Sequence, residues 1–97
     1  MQNGGSDLKE RTKVFATGVI ALVSSLPRST VADVMGRQVL RAATSAGANY
    51  RAACRAQSRR DFAAKLAIVI EESDEVQYWL ELLREAQLVG EDHFIDF

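Results

Sequence analysis

The sequence predicts an all-α, antiparallel up-down helical bundle, and three observations carry that prediction. Apolar residues recur at helical spacing over three long stretches; a capping signal opens each stretch; and Pro27 is the only proline in the chain. Ninety-seven residues suffice for one domain with one core. Residues 1–6 are polar and glycine-containing and read as a disordered start, leaving 7–97 as the single helical-bundle domain. That start has neither a basic segment nor an apolar run, so it reads as a frayed terminus rather than a signal peptide. No apolar run approaches the ~20 residues that span a bilayer. Cys54 is the sole cysteine, which excludes a disulfide framework and a cysteine-based metal cluster. Cytoplasm is the expected compartment.

The first helix opens near Asp7, with Glu10 three residues later as in a capping box. Its seam is Leu8, Thr12, Phe15, Val19, Leu22 and Leu26, and Pro27 stops it, because proline has no amide hydrogen and disfavours helix at the residue before it. The second opens at Ser29 or Thr30. Its seam, Val31, Met35, Gln38, Ala42, Ser45, Asn49, Ala52 and Ala56, is small and partly polar, so a neighbouring helix can approach closely. Gly47 costs roughly 1 kcal/mol of helix propensity relative to alanine, which a close backbone crossing explains. The third opens at Ser58 and runs to about Leu88, where Gly90 supplies a stop. Its main seam is Phe62, Leu66, Val69, Ser73, Val76, Leu80 and Leu83. A second apolar line, Ala63, Ala67, Ile70, Trp79, Leu82 and Ala86, lies beside it. Two seams exceed what two partner helices cover, so Ile70, Trp79 and Leu82 are expected in an interface between copies. Phe94, Ile95 and Phe97 are expected to fold back onto apolar surface or to insert into a neighbour.

Charge is unevenly distributed. Residues 28–65 carry eight basic groups against Asp33 and Asp61, whereas 66–97 carry nine acidic groups against Arg84 alone. Three explanations are open: pairing between antiparallel segments, pairing between copies, or a basic surface for nucleic acid. Arg51, Arg55, Arg59 and Arg60, around the second helical corner, are the candidates for contact with RNA or DNA. In a ring they would repeat once per subunit. Tyr50 is the only aromatic in that run, so platforms for base stacking are sparse.

Arg41, Ser45 and Asn49 stand four apart on one helical face, and Glu72 and Glu75 three apart on the next helix. Together with Gln38 they form a candidate polar network, expected to be buried and to set the register between helices two and three. No Glu-x-x-His pair of the di-iron bundles occurs, and His93, the only histidine, is in the tail. Nearby arginines could activate Cys54, yet no general base accompanies it. The sequence therefore predicts no catalytic residue, metal, cofactor or small-molecule substrate, and a non-enzymatic protein.

The stretch from Gln38 to Arg51, QVLRAATSAGANYR, resembles the QLLRAATSIGANYREA signature of the four-helix bundle proteins encoded in 23S rRNA intervening sequences. The likeness continues through Ser58–Phe62, Lys65-Leu66, Glu72–Glu75 and Tyr78–Leu83, and covers about residues 8–89. It implies a bacterial antiparallel bundle that assembles as a homopentamer, of undefined molecular role, acting as a scaffold or binding module. A related pentameric bundle, the accessory variability protein of diversity-generating retroelements, works with nucleic acid, so the likeness also makes a nucleic-acid-binding accessory role the alternative. Ala52 stands where the family usually has glutamate. The chain ends at Phe97 where a fourth helix would follow, so the resemblance implies a bundle whose fourth helix is short or missing.

Overall fold

A computed structural model describes the backbone of residues 4–89 and the side chains of residues 7–89. The described residues form three helices and no strand: α1 (Gly4–Ser24), α2 (Thr30–Cys54) and α3 (Arg59–Glu85). The tail with His93, Phe94, Ile95 and Phe97, and with it the expectation about a fourth helix, lies outside the described residues.

Two serines open helices as their sequence positions require. Ser29 and Ser58 sit in extended backbone, and their Oγ atoms accept from the amides of Ala32 and Asp61, each at 3.0 Å. The start of α1 differs from expectation. The helix begins at Gly4, so residues 4–6 of the segment read as disordered are helical. Asp7 is therefore a first-turn residue rather than the cap. There it complements the positive end of the helix dipole and faces Arg11 one turn on, at 3.8 Å.

The helix ends are closed in two ways. Ser24 and Ser25 hydroxyls donate to the carbonyls of Ile20 and Leu22 at 2.8 and 2.7 Å, satisfying orphan acceptors before Pro27. At the end of α3 the Leu88 amide reaches the Leu83 carbonyl at 2.9 Å and the Gln87 amide reaches Arg84 at 3.0 Å. This is a Schellman closure, with Gln87 at φ 61° in the left-handed position that glycine usually fills. The stop therefore falls before Gly90, because the apolar Leu88 and Val89 turn back onto the core.

α2 is the central element, with α1 and α3 both packed antiparallel to it. Val19 and Leu22 of α1, Val39, Ala42 and Ala43 of α2, and Val76, Leu80 and Leu83 of α3 form one buried cluster. Besides Ala42, which lies on the expected seam and is fully buried, the buried residues of α2 form the line Ala32, Gly36, Val39, Ala43, Ala46, Tyr50 and Ala53. That line is rotated by one residue from the expected seam, on which Val31 is 58% exposed and Gln38, Ser45 and Asn49 are only half-buried. The reason is that α2 has two neighbours. The polar line is its flank toward α3, and the apolar line points between α1 and α3.

The two glycines of α2 differ in what surrounds them. A methyl group added at Gly36 would stand 3.2 Å from the side chains of both Leu26 and Val23, a tight fit. At Gly47 the nearest atom is the backbone carbonyl of Thr12 at 3.7 Å, so α1 does pass closely there, yet a methyl group fits. Gly47→Ala is therefore expected to raise stability by about 0.5–1 kcal/mol. Gly36→Ala should gain clearly less or lose stability; denaturant melts of both variants compare them. Gln87→Gly should stabilise by about 1 kcal/mol through relief of the left-handed strain, read in the same melts.

Candidate functional site

The structure brings the six residues of the polar network together across the α2–α3 contact. Arg41 lies midway along α2, and Glu72 and Glu75 stand one turn apart on antiparallel α3. Arg41 Nη1 donates to both carboxylate oxygens of Glu72 at 3.2 Å, and Nη2 donates to Glu75 Oε2. Its Nε makes a long 3.5 Å contact with Gln38 Oε1. Ser45 Oγ donates to Glu72 Oε2 at 3.1 Å, and Asn49 Nδ2 donates to the Ser45 carbonyl at 2.9 Å and to its Oγ at 3.1 Å. Asn49 thus reaches the carboxylates only through Ser45. One participant was not anticipated: the Trp79 indole N–H donates to Glu75 Oε2 at 3.0 Å. The i, i+4 spacing of Glu75 and Trp79 was the available signal.

The expectation of a buried network needs correction. The Arg41 side chain is 47% exposed, Glu75 37% and Glu72 17%. The network lies along a rim of the helix pair, where the long arginine side chain keeps part of its head in water. Every polar side-chain atom buried among the described residues has a partner. The Trp79 indole, then the Arg41 guanidinium, hold the Glu75 carboxyl below the usual carboxylate range. Hydrogen bonding to Glu75 in turn raises Arg41, against partial desolvation. The chemistry of this set is that of a fixed ion pair. The one hydroxyl in the set, Ser45, donates to a Glu72 carboxylate that is itself paired with Arg41, and among the described residues no group of three or more His, Cys, Asp or Glu side chains converges as a metal site would require.

The arginine candidates lie elsewhere. Arg51 and Arg55 close α2, Arg59 and Arg60 open α3, and all four are exposed. None of the four has an ion-pair partner among the described residues, where the salt bridges are Arg11–Asp7, Arg41–Glu72, Arg41–Glu75 and Lys65–Asp61. Arg59 and Arg60 occupy the positive end of the α3 dipole, where a cation is disfavoured. Cys54, exposed at the same corner, contacts Tyr50, which is 8% exposed. Burial, and then that thiol, hold the Tyr50 phenol above its ordinary range.

The interface candidates divide. Ile70 is 59% exposed, whereas Leu82 is half-buried and Trp79 packs against its own core with its indole tied to Glu75.

Removing Arg41 from a half-exposed network should cost less than the ~3 kcal/mol of a broken buried pair. Arg41→Ala is expected to lower stability by about 1–2 kcal/mol, since Glu72 retains the Ser45 hydroxyl. Because the folded Glu75 pKa lies below the unfolded value of about 4.3, its contribution is complete above that value and disappears as pH falls through the folded one. The stability gap between wild type and Glu75→Gln should therefore be constant near neutrality and close in acid, as measured by urea melts over pH.

Comparison with known proteins agrees with this architecture. No protein of curated function matches the chain. A solved structure of a protein of unknown function from the S23 ribosomal protein family of Bacteroides thetaiotaomicron is similar, with a TM-score of 0.85 and 38% identity over 93% of this chain and 80% of that one. The family model described as 23S rRNA-intervening sequence protein matches residues 6–97. Neither description carries a catalytic activity. A sequence match over nearly the whole chain and a shared helical architecture together place it: this chain belongs to the 23S rRNA-intervening sequence protein family.

Proposed function

We propose that this protein is a non-enzymatic helical module that assembles with copies of itself, a pentamer being the favoured form, and serves in the cytoplasm as a scaffold or binding platform. The observation that supports this reading most is the outer face of α3. Ala63, Ala67, Ile70, Asp74, Tyr78, Glu81 and Glu85 follow one another at helical spacing and all are exposed, with Ile70 at 59% and Tyr78 at 54%. The first half of this stripe is apolar and small, which suits close approach of another helix. The half-buried Leu82 and Trp79 border it. No helix among the described residues is long and apolar enough to cross a membrane.

Arg51, Arg55, Arg59 and Arg60, exposed and without an ion-pair partner among the described residues, favour a second reading, in which the same module is a nucleic-acid-binding accessory protein. Among the described residues, Arg41 alone of the basic groups in 28–65 is salt-bridged to the acidic part of α3.

Light scattering tests the assembly. The purified protein should run as a stable oligomer at micromolar concentration, and Ile70→Asp should shift it toward the monomer while leaving its helical circular dichroism intact. A wild-type monomer under these conditions rejects the reading.

A further inference from the structure

The arginine corner continues along α2. Arg37, Arg41, Thr44, Ala48, Arg51 and Arg55 lie at i, i+4, i+7, i+11, i+14 and i+18, and every one of them is exposed. They form a single stripe on the side of α2 opposite its buried line. At 1.5 Å per residue the stripe is about 27 Å long, and at its end the chain turns directly into Arg59 and Arg60. Between the charged positions stand only Thr44 and Ala48, which raise no obstacle. Arg41 is neutralised from the α3 side by Glu72 and Glu75. Arg37, Arg51, Arg55, Arg59 and Arg60 have no ion-pair partner among the described residues.

Every basic position of this stripe is arginine, the side chain whose planar fork matches phosphate oxygens. The aromatic that could stack on an unpaired base, Tyr50, is buried at 8% exposure and faces away from the stripe. The surface therefore offers phosphate contacts in a line and no base platform.

We infer that the outer face of α2, from Arg37 through Arg55 and on to Arg59 and Arg60, is a track for the phosphate backbone of duplex nucleic acid. This rests on the second reading above and specifies its ligand. A helix face of about 27 Å follows most of a duplex turn of about 34 Å, with phosphates read as charge and geometry rather than as sequence. Single strands, which need stacking for tight binding, are the poorer ligand.

Fluorescence anisotropy with a short duplex RNA, the matching duplex DNA and one single strand tests the track across about 50 to 200 mM salt. If four or so phosphates are contacted, affinity for a duplex falls on the order of 100-fold over that range. Arg37→Ala should lower the salt slope by about one and Arg37→Lys should preserve it. Comparison of the RNA and DNA duplexes tells which backbone geometry is preferred. A slope unchanged by Arg37→Ala, or a single strand that binds more tightly than either duplex, overturns the track even if the corner arginines matter. Absence of wild-type binding at the lowest salt overturns the track and the nucleic-acid reading together, and leaves the assembly to be judged by light scattering.

Discussion

Seven positions on one side of α2, Ala32, Gly36, Val39, Ala43, Ala46, Tyr50 and Ala53, set how closely the other two helices can approach it. Four are alanine and one is glycine, so the approach is limited by backbone rather than by long side chains. At Gly36 the limit is already reached, with Leu26 and Val23 filling the space a methyl group would need. The larger apolar side chains come from α1 and α3 and meet above this small surface as Val19, Leu22, Val76, Leu80 and Leu83. The arrangement follows from volume conservation: a thin central helix permits bulky neighbours, whereas two bulky surfaces would hold the layers apart.

The polar network acts on what close packing leaves undetermined. A small, smooth helix surface admits several longitudinal offsets, because alanines offer few ridges for a neighbour to lock into. At the observed offset the Arg41 fork meets the carboxylates of both Glu72 and Glu75, a contact that a shift of one helix along the other would break. The Trp79 indole adds a clamp from within α3 by fixing Glu75. On an exposed rim the network avoids the full desolvation cost of a buried charge.

Much of this was legible in the sequence, for identifiable reasons. Ser29, Ser58 and Pro27 mark helix limits by local chemistry, which tertiary contacts do not override. The grouping of Arg41, Ser45 and Asn49 with Glu72 and Glu75 followed from helical spacing and an antiparallel turn. The burial of that group did not, because exposure depends on how far two helix axes lie from the rim, a quantity no spacing encodes. For the same reason the α2 seam was displaced by one residue: with alanines on both flanks, hydrophobicity cannot tell which line points between two neighbours. The end of α3 was placed late because Gly90 is the obvious terminator, whereas the actual left-handed residue is Gln87, held there by the return of Leu88 and Val89 to the core. Helical spacing puts Trp79 on the second apolar line; its indole N–H has a local partner, Glu75, that a purely apolar pattern ignores.

Among the described residues the largest completely enclosed side chains are modest: Leu83, Val19, Val39 and Val76, with no aromatic ring among them. Each such group contributes only about 1.5–3 kcal/mol on burial, and a chain of this length encloses a smaller share of its surface than a larger domain does. The folded state consequently has little free energy in reserve. Anything that binds the folded chain and ignores the unfolded one, whether another copy or a polyanion, then shifts the unfolding equilibrium by mass action. The melting temperature of such a protein is a property of the solution as much as of the sequence. It rises with protein concentration if copies associate, and with added ligand if the arginine face is occupied.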